Sequence, residues 1–168
     1  MTNTFLISDT HFSHGNILNF MKKDNTPLRP FFVDINHHDF VLIDNWNKVV
    51  GKNDKVYHLG DVGFTNFPKL KTIFDMLNGT KVLIKGNHDN FKLSQYAQIF
   101  KDVRATHQLD KFVLSHVPIH PYSLDRWKGN LHGHLHEGQI DDERYVNMCV
   151  EHWNYTPVPF ETIRSKFG

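Results

Sequence analysis

The sequence predicts an α/β fold, and three observations carry that reading. Short apolar runs alternate with amphipathic stretches through the first half, in the order strand, helix, strand, helix, strand. That alternation favours a parallel sheet covered by helices. Hydrophobic residues make up 39% of 168 residues, enough to pack one core, so residues 1–168 are read as one domain. Polar residues able to ligate metals stand repeatedly just past the apolar runs, where open α/β sheets place their ligand sites.

The first strand, 4–8, is Thr-Phe-Leu-Ile-Ser and ends at Asp9. Residues 16–22 have helical character, with Ile17, Leu18 and Met21 at compatible spacing. Pro27 and Pro30 then break the chain into a loop. A stronger amphipathic helix spans 36–50, with Gly51 as its stop, and its stripe Phe40, Ile43, Trp46 and Val50 is assigned to the core. The second strand is 55–59. A helix follows over 68–77, with Leu70, Ile73, Phe74 and Leu77 on one face. The third strand, 81–85, ends in Gly86. Residues 103–109 and 111–115, parted only by Asp110, read as a tight hairpin. Strands over 130–132 and 144–148 flank a polar, turn-like segment, 137–143. A last helix over 160–167 follows Pro157-Val158-Pro159.

Composition excludes several classes. No stretch approaches the roughly 20 apolar residues of a membrane span. The N-terminus has no basic region ahead of its short apolar run, so a cytoplasmic location is expected and no membrane partner. The single cysteine, Cys149, rules out an intrachain disulfide and a zinc site built from several thiolates; it is read as a packing residue. Net charge of +1 argues against broad capture of nucleic acid, although a local basic patch stays open. Oligomeric state is not legible.

Thirteen histidines are many for this length, and imidazole is the commonest metal-ligand side chain. Asp9, Asp61 and Asn87 fall at strand ends; His116 follows one further strand, and His134 and His136 another. If these segments are extended, residues two apart share a side, so His134 and His136 face one site, as do Asp9 and His11. Mixed carboxylate, amide and imidazole donors suit Mn, Fe, Zn or Ni better than calcium. Seven candidates, Asp9, His11, Asp61, Asn87, His116, His134 and His136, are too many for one tetrahedral ion. They suit two divalent ions sharing a carboxylate at a spacing of roughly 3.5–4 Å. Each motif alone has a plain reading: Asp9 as a helix cap, Asp61 in an ordinary turn, Asn87 in a left-handed turn, His116 half buried. Their joint occurrence in order is what weighs against those readings.

Asp9-Thr10-His11, Gly60-Asp61, Gly86-Asn87-His88-Asp89, Ser115-His116 and Gly133-His134-Leu135-His136 resemble, in order, the signatures of the calcineurin-like metallophosphoesterases. The likeness runs from residue 9 to about 136. The segment from Asp9 to Ile17 and the ending around Asn147 to Pro159 are similar to the small uncapped bacterial and phage members. The resemblance implies two packed mixed β-sheets flanked by helices, an αββα sandwich. It implies that Asp9, His11 and His136 hold one metal, that Asn87, His116 and His134 hold a second, and that Asp61 bridges them. Mn is the expected ion. His88 faces the phosphate and leaving group, and Asp89 orients His88. In one departure, Phe64 stands where many relatives carry a second acid three residues after the bridging aspartate.

The function so implied is metal-dependent hydrolysis of a phosphate ester, a phosphodiester ahead of a monoester, with a hydroxide shared by the metals as nucleophile. The expected partner is a small phosphate ester, a nucleotide among the options. Rival readings are a nuclease acting on DNA or RNA ends, a phosphomonoesterase or protein phosphatase on the same fold, and, last, a non-enzymatic metal-binding module. Near-neutral charge counts against the nuclease. His14, Asn16, Arg29 and His120 are candidate substrate contacts; a loop-shaping role for His14 and Asn16 and a solvated Arg29 fit as well. His37, His38, His107 and His152 read as surface or helix-face residues, and His58 and His132 as packing residues within strands.

Overall fold

The computed structural model describes residues 2–168. Two mixed sheets lie against each other with helices outside. The first holds β1 (Thr4–Ile7), β2 (Lys55–His58), β3 (Thr80–Ile84), β4 (Asp102–Arg104) and β9 (Val158–Pro159) in the order β4-β3-β2-β1-β9. All pairs in it are parallel except β1 with β9. The second runs β5 (Thr106–Leu109), β6 (Phe112–Ser115), β7 (Gly129–His132) and β8 (Tyr145–Asn147); only β5 with β6 is antiparallel.

The period of two along β1 decides what each face meets. Phe5 and Ile7 join the core under helices α1 (Ile35–Val49) and α2 (Phe67–Asp75), with Leu42, Trp46, Leu70 and Phe74. Leu6 points the other way, into the layer between the sheets, with Tyr57, Ile84, Phe112, Leu114 and Leu131. Asn66 caps α2 by accepting from Lys69 N at 3.0 Å, and Leu70, Ile73 and Phe74 bury its inner face. Each such side chain stabilises the fold by about 1.5–3 kcal/mol relative to exposure.

Several expected elements differ. Asp34 caps α1 through His37 N at 2.8 Å, and the buried face is Asp39, Leu42 and Trp46. Phe40 therefore turns outward at 66% exposure, and His38 is fully buried rather than superficial. The expected helix at 16–22 is a 3-10 turn, Gly15–Asn19. The strand expected over 103–109 is divided: β4 completes the first sheet, Ala105 crosses over, and β5 opens the second. A short helix α3 (Leu93–Tyr96) and the edge strand β9 were not anticipated, and the last helix divides into α4 (Phe160–Arg164) and a 3-10 turn, Ser165–Phe167. Among the described residues, no helix is long and apolar enough to cross a membrane.

Candidate metal centre

The site forms where β1, β2, β3, β6 and β7 end and their following loops meet. Gly86 and Gly133 make this possible, since a Cβ on Gly86 would collide with Asp61 and one on Gly133 with Ser8 and Asp9. Asp9, His11, Asp61, His134 and His136 all have left-handed backbone, with φ between 48° and 70°. Such conformations cost of order 1 kcal/mol each and concentrate at functional sites. The ligand pairs two apart are thus not extended, as alternation along a strand supposed. The sharp turns send His134 and His136 to different groups.

The first group is Asp9, His11 and His136, whose donor atoms lie within 4.8 Å of one another. Asp9 Oδ2 accepts from Ser8 Oγ at 2.5 Å, His134 N at 2.9 Å and Cys149 Sγ at 3.2 Å. Its other oxygen, Oδ1, lies 3.7 Å from His11 Nε2 and 3.9 Å from His136 Nε2. His136 Nδ1 faces Glu151 Oε1 at 2.9 Å, and His11 Nδ1 faces His14 Nδ1 at 3.0 Å. A ring that donates from Nδ1 keeps its Nε2 lone pair for a metal. Asp9 Oδ1 and His11 Nε2 are buried and make no hydrogen bond. A buried orphan of that kind costs about 1–3 kcal/mol, and a divalent cation meets both, so this donor set fits the implied metal.

The second group is Asp61, His116 and His134, under the same 4.8 Å limit. His116 donates from Nδ1 to Leu59 O at 2.7 Å, which turns Nε2 toward Asn87 Oδ1 at 2.8 Å and Asp61 Oδ2 at 3.4 Å. Asp61 Oδ2 also lies 3.9 Å from His11 Nε2. One carboxylate oxygen therefore stands between an imidazole of each group. The other, Oδ1, is held by His88 N at 2.9 Å.

Charge follows this geometry. Burial pushes the Asp9 carboxyl upward, yet the imidazoles of His11, His116 and His136 outweigh it and hold the group below the usual range. Asp61 is lowered in the same way, with His116 the main partner. His116 loses by burial but is raised to about 9 by Asp61 and Asp9. His136 is raised, against its burial, by Glu151 and Asp9. The carboxylates of Asp9 and Asp61 are thereby held in the ionised form that a cation can use.

Other predicted residues land differently. Asp89 does not face His88. Its carboxylate accepts from Asp61 N at 2.9 Å, Val62 N at 3.0 Å and Gly86 N at 2.7 Å, and so ties two ligand loops together. Arg29 is 1% exposed and cannot reach a phosphate. Its guanidinium binds Asp9 O, Thr10 O, His38 and Glu151. His88 is exposed beside Phe64, with ring centroids 4.9 Å apart. His14 lies against His11, Asn16 is exposed on its 3-10 turn, and His120 is exposed at the start of another, Pro121–Leu124. Cys149 does more than pack, since its thiol touches Asp9. Glu151 was missed: it follows the apolar Cys149-Val150, and a lone acid in such a run is the one cue the sequence offers.

The fold and site define an α/β protein of two mixed sheets carrying two side-chain groups able to hold metal ions. Within that class, the chain belongs to the same family as the uncharacterized protein MJ1445 of Methanocaldococcus jannaschii. The two are 34% identical over 172 residues, covering 97% of this chain and 90% of that one. The gene 66 protein of Mycobacterium phage L5 is 38% identical over 93 residues, which span 53% of this chain and 41% of the phage protein. Among solved structures, AQ665 from Aquifex aeolicus, a protein of unknown function, superposes with a TM-score of 0.74 at 25% identity, over 98% of this chain and 99% of its own. No family model matches the chain.

Proposed function

We propose that this protein is a dinuclear metal-dependent phosphoric ester hydrolase, with phosphodiesters preferred and Mn as the working ion. The observation that carries the reading is the position of Asp61 Oδ2, 3.9 Å from His11 Nε2 and 3.4 Å from His116 Nε2, with a further set of donors on each side. Two bound cations would acidify a water toward neutral pKa and offset charge on phosphate oxygens. The chain's own residues do the rest. Arg29, Glu151, Ser8 and Cys149 hold the first group in register, and Asp89 does so for the loops of the second. His88, exposed and free of ligand duty, is the proton donor to the leaving oxygen.

The deciding experiment loads purified protein with Mn, measures metal per chain, and offers cyclic nucleotides, aryl mono- and diesters, phosphopeptides and oligonucleotides. Two ions per chain and turnover of a diester are expected. One ion, or no turnover of any phosphate ester, overturns the reading. His88→Asn should keep both metals and lose roughly 10²–10⁴-fold in rate, the span of general acid catalysis. The loss should shrink for esters with good leaving groups; an equal loss across leaving groups would take the acid role from His88.

A further inference from the structure

A ledge of aromatic rings runs outward from the metal-ligand groups. Phe64 stacks on His14 with centroids 4.0 Å apart and planes 20° apart. It lies 5.6 Å from the ring of His11 and 4.9 Å from that of His88. Phe20 sets its edge against His14 at 5.6 Å. Phe64 is 37% exposed and Phe20 42%, so both rings offer surface at the rim of the polar centre. Single exposed apolar residues need no explanation. These two are joined through the ring of His14, and the backbone at Phe64 is pinned: Phe64 N donates to Phe12 O at 2.9 Å, and Gly63 bridges Phe12. The stretch that places Asp61 therefore also fixes the ring three residues on.

A substrate with its phosphate at the metal groups and its leaving oxygen at His88 extends its esterified group across this ledge. A polyol or anionic group gains less from an aromatic face than a planar base, which stacks on it. We infer that the ledge binds the base of a nucleoside phosphate ester, with Phe64 as the stacking residue; this rests on the phosphoesterase reading and names its substrate class. Net charge of +1 favours a free nucleotide ester over a strand of nucleic acid.

The test compares Mn-loaded wild type with Phe64→Ala, Phe64→Leu and Phe64→Trp, metal content being measured on each sample. The readout is the ratio of kcat/KM for a nucleoside phosphodiester over a glycerol phosphodiester of equal charge. The ratio should fall roughly 5- to 100-fold in the Ala and Leu variants, the span for one base stacked on an aromatic ring. It should be kept by Trp, which restores a π face. Leu keeping the ratio would overturn the inference, because Leu conserves apolar volume without a π face. A second measurement needs no turnover: saturation-transfer NMR with adenosine monophosphate. Contact through base protons that is lost in Phe64→Leu supports the ledge even if no ester is hydrolysed, in which case the catalytic reading alone falls. Hydrolysis of esters with contact only through the ribose removes the ledge and leaves the catalytic reading standing. A short oligonucleotide turned over more than tenfold faster than the mononucleotide ester would overturn the assignment to a free nucleotide.

Discussion

The two ligand groups are built from similar donors and held in opposite ways. In the first, Asp9 is fully buried, and a buried ion pair lies behind the ligands: Arg29 Nη2 to Glu151 Oε1 at 2.7 Å, with His136 Nδ1 on the same oxygen at 2.9 Å. Two of its donor atoms have no protein partner. In the second, His116 Nε2 already meets Asn87 and Asp61, Asn87 is exposed, and the clamp is Asp89 on backbone amides. Buried orphans gain more from a cation than donors that already satisfy one another. The first group should therefore bind metal more tightly and exchange it more slowly than the second. Stepwise chelation followed by metal analysis checks this: one ion should leave well before the other.

Asp61→Asn strikes at what the groups share and should have the largest effect. It removes a charge that serves both, so both ions weaken together, and activity should fall by more than the 10–100-fold typical of a residue that only orients a ligand. Retained folding with two weakened sites is the expected pattern. Wild-type turnover at saturating Mn would remove Asp61 from the shared position and dissolve the comparison.

Glu151→Gln and Arg29→Met should separate the groups. Gln keeps an acceptor for His136 Nδ1 but loses the charge that Arg29 pairs with. Affinity for the first ion should drop by roughly 10–100-fold while the second is unaffected. Arg29→Met takes the guanidinium from buried Glu151 and leaves it only His136, and should also cost up to about 3–5 kcal/mol of stability, read by denaturant unfolding. Equal loss at both sites in Glu151→Gln would mean that the ion pair supports the whole centre, not one half.

This asymmetry marks the limit of sequence legibility. Asp9, Asp61, Asn87 and His116 could be placed because a strand end followed by a small polar cluster has a period and a position. Alternation puts His134 and His136 on one site, since it assumes extended geometry that left-handed backbone at both replaces; the family resemblance assigns them to separate groups, and the structure groups them that way. The supports stayed hidden for a different reason. Arg29 and Glu151 are separated by 122 positions, and nothing local distinguishes a buried charge from a solvated one. Asp89 was visible as an acid, but its target was misjudged because its partners are main-chain amides, which a sequence does not display. In the fold, the strand–helix alternation was legible, while the crossing at Ala105 was not, as β4 and β5 form one unbroken strand-like run.

Cys149 offers the smallest and finest test. Its thiol lies 3.2 Å from Asp9 Oδ2, an oxygen that also has Ser8 and His134 as donors. Burial, with the charges of Asp9 and Glu151 beside it, pushes the thiol well above its usual pKa, so it stays protonated and donates. Removing one neutral donor of three should cost about 0.5–1.5 kcal/mol, a roughly 2- to 12-fold weakening of the first ion in Cys149→Ala. Cys149→Ser, which keeps a donor, should recover most of that loss, and the second ion should not respond to either change. The same burial makes the thiol inert in the folded protein. A thiol reagent should label it only on unfolding, and bound metal should slow that labelling, because an ion held by Asp9 and its partners stabilises the fold that shields the sulfur. Rapid labelling of metal-loaded protein would mean that the layer behind Asp9 opens readily, and the rigid first group would then lose its contrast with the second.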